Sequence, residues 1–389
     1  WLRETAMPHT PDYTDEILDQ TARIRQRPRW TFIRRWLPLP ELGWTAAAGR
    51  RVALTGLLLL VLALILAAVA VFVGGRRTAL PAPFGNAGNG LVATSAGGDI
   101  VLLDPATGAT RPIVKGDSVD EHPRWSRDGT HLAFLRQTDR GQAVVIADAN
   151  GRIQSISDSF TYLDSDSLAW SPDGRHVAFA GDSTRGTGIQ LLDAETGAAR
   201  ALGVWYGGLE GYWRPPDGRQ LLFRSGNPDL GLALVSIEDK SVVRVPIGDP
   251  APTAVRPLGW TPDGRRVLYQ DDDAPPFQTV VVDVETGAQI HLDVAFGHVS
   301  NDGTRVAGVK PNGDLGGQLC VVAITGGTCD VVEGTDFVQG PHGASVSWAP
   351  DDRWIALLGE SLWLVDPTGA VPPRAVAGNG PGSWQRIAP

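Results

Sequence analysis

The chain has 389 residues and a formal net charge of −9, with 34 Lys and Arg against 43 Asp and Glu. From residue 74 onward the balance is 25 against 37, and so acidic a surface argues against nucleic acid and against docking on anionic lipid. Only 3 Lys stand beside 31 Arg, a compositional habit of GC-rich bacterial genomes rather than chemistry. Length alone suits two or three domains, an expectation that the repeats described below replace.

The sequence opens on Trp1 and its one Met is Met7, so we expect further sequence upstream. Residues 1–50, read as a cytoplasmic segment, hold eight Arg against six Asp and Glu. Residues 12–25 are acidic in the first turn and basic in the last, which suits a helix dipole. Ile17, Leu18, Thr21 and Ile24 give this helix one narrow apolar stripe, and Pro28 ends it. Trp30, Phe32 and Trp36 then alternate with Arg29, Arg34 and Arg35, the composition of a membrane-proximal interfacial segment. Docking of a cytosolic partner is the alternative, and nucleic acid the weakest reading because the acidic residues dilute the charge.

Residues 52–73 carry no charge. At 1.5 Å per residue they reach roughly 33 Å, enough for a hydrocarbon core of about 30 Å. They are longer than a signal-peptide core and lie too far from the start. We expect a retained transmembrane helix over residues 51–74. Arg34, Arg35, Arg50 and Arg51 precede it and Arg76 and Arg77 follow, so the positive-inside bias puts the N-terminus in the cytoplasm and everything after the span outside it. Residues 75–89, rich in Pro, Gly and Asn, read as a semi-flexible linker.

Beyond the linker one phrase recurs. It reads WSRDGTHLAF from Trp125, WSPDGRHVAF from Trp170, WRPPDGRQLLF from Trp213, WTPDGRRVLY from Trp260, VSNDGTRVAG from Val299 and WAPDDRWIAL from Trp348. Successive copies start 39 to 49 residues apart, and a period of about 40–45 residues is that of a four-stranded propeller blade. In each copy Trp ends one strand and offers apolar surface to a neighbouring sheet. Pro and Asp set a turn, Gly takes the positive φ, and an alternating apolar strand follows. Asp128, Asp173, Asp217, Asp263 and Asp302 are therefore turn formers. A second phrase, an apolar run closed by a turn, falls near Asp104, Asp148, Asp193, Ile237, Asp283, Ile324 and Asp366. That count gives seven blades. The first unit, from Gly90 to Val114, lacks a Trp strand, and the chain ends on a Trp strand at Trp384 with nothing after it. We expect the C-terminal strand to complete the first blade and close the ring, which removes two unpaired sheet edges.

Residues 90–389 resemble the WD-repeat-like propeller repeats of the TolB C-terminal domain, through the Trp-x-Pro-Asp-Gly phrase and the Val-Ala-Phe-type strand that follows it. The resemblance implies an all-β propeller and no partner. The chain departs from the family in four respects. Its blade count is seven where TolB-like propellers have six, no TolB N-terminal domain is recognisable, Val299 stands where Trp is expected, and Asp352 stands where Gly is expected. The Gly-His…Trp-Asp signature of eukaryotic WD repeats is absent. Residues 11–36 faintly resemble the cytoplasmic part of anti-sigma-like membrane proteins, without their zinc motif.

Cys320 and Cys329 lie on the two arms of one predicted hairpin around Thr325-Gly326-Gly327, and an oxidising compartment makes a structural disulfide the natural reading. Two thiols with no adjacent His do not suggest a metal site. No nucleophile elbow, zinc-protease motif or phosphate loop is present, and no catalytic, metal or cofactor-binding residue stands out. His131 and His176 occupy equivalent repeat positions and read as repeat structure. The acidic stretches Asp271-Asp272-Asp273, Asp164-Ser165-Asp166 and Asp117 to Glu121 read as solvated loop charge. The expectation is a membrane-anchored bacterial propeller, extracytoplasmic and not an enzyme, that binds a protein, peptide or glycan. The alternatives are an anti-sigma-like signalling protein with a cytosolic regulator, and a propeller hydrolase or lyase using channel carboxylates.

Overall fold

The computed structural model describes residues 59–61 and 82–388, less 165–166, 184–185, 204–205, 228, 250, 253, 273–277, 312–315, 337, 340–344, 359–361 and 377–378. The chain divides into a unit Trp1–Arg77 and a unit Thr78–Pro389. In the first, Leu59, Leu60 and Val61 are helical and exposed. The rest of the expected span and the helix expected at residues 12–25 lie outside the described residues. Among the described residues no helix is long and apolar enough to cross a membrane.

The second unit is all β. Its strands form seven antiparallel sheets, five with four strands and two with five. In chain order the blades are residues 88–114 (blade 1), 120–156 (blade 2), 162–201 (blade 3), 206–244 (blade 4), 255–292 (blade 5), 295–339 (blade 6) and 345–376 (blade 7). The strand Asn379–Ile387 returns to blade 1 and pairs with Gly88–Ala96, setting Trp384 opposite Val92 and Arg386 opposite Asn89. The closure expected from the two half-units is present. Blade 3 splits its first strand into Tyr162–Leu163 and Ala169–Trp170, which share the partner His176–Ser183. Blade 6 gains Val338–Gln339.

Each sheet buries both faces, which is why its central strands read as near-continuous apolar runs. Val177 and Phe179 pack back on blade 2, while Ala178 and Ala180 pack forward on blade 4. Similar clusters fill the other blade contacts around the ring, ending with Trp384 against blade 7 and Trp125 against blade 1. The indoles also donate hydrogen bonds from blade to blade. Trp170 Nε1 donates to Arg124 O (2.9 Å), Trp213 to Ala169 O (3.0 Å), Trp260 to Tyr212 O (3.3 Å) and Trp348 to His298 O (2.8 Å). In every case the acceptor is the residue before the repeat position of the preceding blade. The Trp thus stitches neighbouring blades with a polar bond inside an apolar contact.

The turn of the repeat is a closed network. Ser126, Ser171 and Ser300 each donate to the Asp two residues on, at 2.6 Å, and accept the backbone N–H five residues on. These bonds hold the Asp128 and Asp302 carboxyls below their ordinary range against the opposing effect of burial. In these three blades the hydroxyl at the second motif position therefore closes the turn, a role the Trp-x-Pro-Asp-Gly reading left blank.

One acidic stretch is corrected. Asp120 is not a solvated loop charge. It opens the strand Asp120–Trp125, is 1% exposed, and takes a bidentate pair from Arg136 with both bonds at 2.7 Å. Of the others, Asp272 lies 3.9 Å from Arg256, while Asp273, Ser165 and Asp166 lie outside the described residues. Cys320, in the strand Gly316–Ala323, is bonded to Cys329 with the Cα atoms 5.8 Å apart.

Candidate functional site

Four blades carry Pro two residues after the Trp position: Pro172, Pro215, Pro262 and Pro350. Three do not. Blade 2 has Arg127, blade 6 has Asn301 and the closing strand has Arg386. The structure brings these three exceptions together at one end of the central channel, where they line a cavity of about 330 Å³ walled by Trp125, Trp170, Trp348 and Trp384. A second cavity of about 250 Å³ adjoins it, sharing Arg127, His298 and Asn301. That second space is lined by Val299 and Gly259. It opens where an isopropyl group stands in place of the expected indole.

A relay across three blades fixes the polar residues. Asp352 occupies the position of the turn Gly and takes the left-handed conformation the turn needs, with φ 60. It is 4% exposed. Its carboxylate accepts from Asn301 N (2.7 Å), Asn301 Nδ2 (2.8 Å) and Asp302 N (2.8 Å). Asn301 Oδ1 in turn accepts from Arg386 Nη1 at 2.9 Å. The two departures from the repeat in blades 6 and 7 thus meet and compensate.

Arg386 and Arg127 also hold the chain that leads into blade 1. Arg386 Nη2 donates to Ala82 O (3.0 Å) and to Gly85 O. The Arg127 guanidinium lies 4.9 Å from the centre of the Phe84 ring, a cation–π contact. Residues 82–85 therefore lie as a strap over this end of the channel, and Phe84 and Gly85 line the second cavity. Burial and then the like charge of Arg127 bring the Arg386 guanidinium down to about 10, against the opposing pull of Asp352. Burial alone lowers Arg127. Neither arginine makes a salt bridge to a carboxylate among the described residues.

His298 lines both cavities. Burial lowers its imidazole to about 4, so the ring is neutral at physiological pH. The sign for stability follows. The unfolded chain takes up this proton near 6.5 and the folded one near 4, so folding stability falls as pH drops from about 6.5 to about 4 and the contribution levels off below that. We expect the His298 ring resonances to titrate near 4 in NMR, and His298→Asn to flatten this part of the pH–stability curve. A midpoint near 6.5 would show that the ring is solvated. Among the described residues no group of three or more His, Cys, Asp or Glu is placed to hold a metal ion.

The sequence signal for this site is the break in the third motif position, to which the repeat reading assigns no role. His131 lies 6.2 Å from the Trp170 ring and bonds Thr130 Oγ1. Among the described residues, none from the acidic stretches lines either cavity.

No family model matches the sequence, and comparison with curated proteins found no relative. Solved structures do resemble it. A functionally unknown protein from Desulfotomaculum acetoxidans is 13% identical with a TM-score of 0.53, over 76% of this chain and 99% of that one. An oligogalacturonate lyase in complex with manganese is 16% identical with a TM-score of 0.50, over 75% and 83%. TolB from Acinetobacter baumannii is 15% identical with a TM-score of 0.46, over 79% and 68%. At these identities the likeness is one of fold. It corrects one expectation. A lyase is built on this fold, so the absence of a recognisable catalytic motif does not support the expectation that the chain is not an enzyme.

Proposed function

We propose that this chain is a membrane-anchored propeller displayed outside the cytoplasm, and that it binds its ligand in the channel cavity. The cavity is the observation that carries the reading. Six of the seven blades supply its walls, large indoles form them, and a few polar groups converge inside, the usual make-up of a small-molecule site. A protein, peptide or glycan on the blade loops is the wider form of the proposal, and a volume of about 330 Å³ narrows it to a small ligand or the end of a larger one. The anchor rests on uncharged residues 52–73, of which Leu59–Val61 are helical and exposed. The side rests on the arginine bias and on the bonded pair Cys320 and Cys329, since such bonds persist in oxidising compartments.

A signalling role with a cytosolic regulator at the N-terminal segment is the second reading. The strap favours it, because the chain leading out of the linker is itself bound at the candidate site.

Protease and a membrane-impermeant thiol reagent applied to intact cells test the orientation. We expect cleavage within residues 90–389 without permeabilisation, and Cys320 and Cys329 unlabelled until reduced. A protected propeller with two reactive thiols would overturn it.

A further inference from the structure

The inference here rests on the channel-ligand reading and gives that ligand a charge. Arg124, Arg127 and Arg386 line the larger of these two cavities, and among the described residues no Asp or Glu does. That composition runs against a chain whose net charge is −9. Three buried donors on the cavity's lining residues also have no hydrogen-bond partner among the described residues: Trp125 Nε1, Trp384 Nε1 and Arg386 Nε. The parent residues are each 6% exposed. Leaving a buried donor unpaired costs about 1–3 kcal/mol.

The indoles make the contrast sharp. Four belt tryptophans donate to the neighbouring blade. The two without partners are the pair on either side of the closing contact, where the backbone N–H of Trp125 donates instead to Ser383 Oγ at 2.9 Å. Asp352 is the carboxylate that acts on Arg386, and three N–H donors from Asn301 and Asp302 already occupy it. The cavity therefore presents positive charge, with no acidic side chain among the described residues that line it.

We propose that this cavity binds a small organic anion, its carboxylate or phosphate group seated by Arg127 and Arg386, whose side chains line it. The group supplies what the site lacks, acceptor atoms with negative charge, in bonds roughly twice as strong as neutral ones. A volume of about 330 Å³ suits a small molecule.

The test uses the full chain in a non-ionic detergent. Citrate and inorganic phosphate are titrated separately while tryptophan fluorescence and heat are recorded, with sodium chloride at matched ionic strength as the reference. We expect a saturable response to at least one anion beyond the chloride reference. The citrate and phosphate arms separate a carboxylate ligand from a phosphate one. Arg127→Gln should weaken binding about tenfold or more with little change in melting temperature, because among the described residues the guanidinium pairs with no carboxylate and rests on the Phe84 ring. Arg127→Lys should fall between the two. A response no larger than that of chloride, or one untouched by Arg127→Gln, overturns the proposal. Neutral glucosides titrated in parallel separate the two levels of inference. If they bind and the anions do not, the charge assignment fails and the channel reading stands. If nothing binds, both fail.

Discussion

A chain that stops before Asn379 should not form a stable ring. The lost strand supplies the partner of Gly88–Ala96 and places Trp384 against blade 7. Losing a buried aromatic of this size costs about 3–5 kcal/mol, and the pairing, Arg386 and the strap go with it, against a total stability of about 5–15 kcal/mol for a folded domain. The truncated protein also exposes the edge of Gly88–Ala96, an invitation to intermolecular pairing. We expect a lost or strongly lowered thermal transition and aggregation, with partial rescue by a peptide of residues 379–389. A truncated chain that melted at the wild-type temperature would show that the first blade is complete without its last strand.

Two glycines at the same repeat position should respond differently to the same change. Gly129 and Gly174 both close a Trp turn, at φ 70 and φ 69. A Cβ on Gly174 would meet nothing closer than an Asp128 carboxylate oxygen at 3.8 Å, whereas a Cβ on Gly129 would meet Arg386 O at 2.0 Å. The closing strand leans on that turn, and Gln385 Nε2 donates to Gly129 O at 2.8 Å. Gly174→Ala carries the backbone penalty of a left-handed conformation, roughly 1 kcal/mol. Gly129→Ala adds a clash between main chains that no side-chain rotation relieves, and we expect about 3 kcal/mol or more. Chemical denaturation of the two variants side by side checks this. Equal losses would mean that the closing strand can shift away from blade 2 at little cost.

The architecture was legible because tandem repeats turn a local phrase into a global count. Once Trp125, Trp170 and Trp213 were recognised as one position, the seven sheets and the half-unit at Trp384 followed. The site was not legible in the same way. Arg386 and Asn301 are 85 residues apart in sequence, and the repeat pattern alone gives neither of them a role. A repeat averages its members, so the positions that differ for a purpose look like noise until closure of the ring sets them side by side. Asp120 was misread for a related reason. Its neighbours Asp117 and Glu121 suggested a solvated cluster, and its partner Arg136 sits on the next strand. The cysteines show the opposite case, since the nine-residue separation is short enough for hairpin logic to bring them together.

The strap sets the reach of the tether. While residues 82–85 are held by Arg386 and Arg127, they add no length between the blades and whatever lies upstream. An anion that draws both arginines toward itself competes with Ala82 and Gly85 for the same guanidinium, and a strap let go from residue 82 to residue 87 pays out up to about 20 Å of extended chain. Occupancy of the channel would then be readable as distance, a quantity that the upstream end of the chain can sense without any change in the blades.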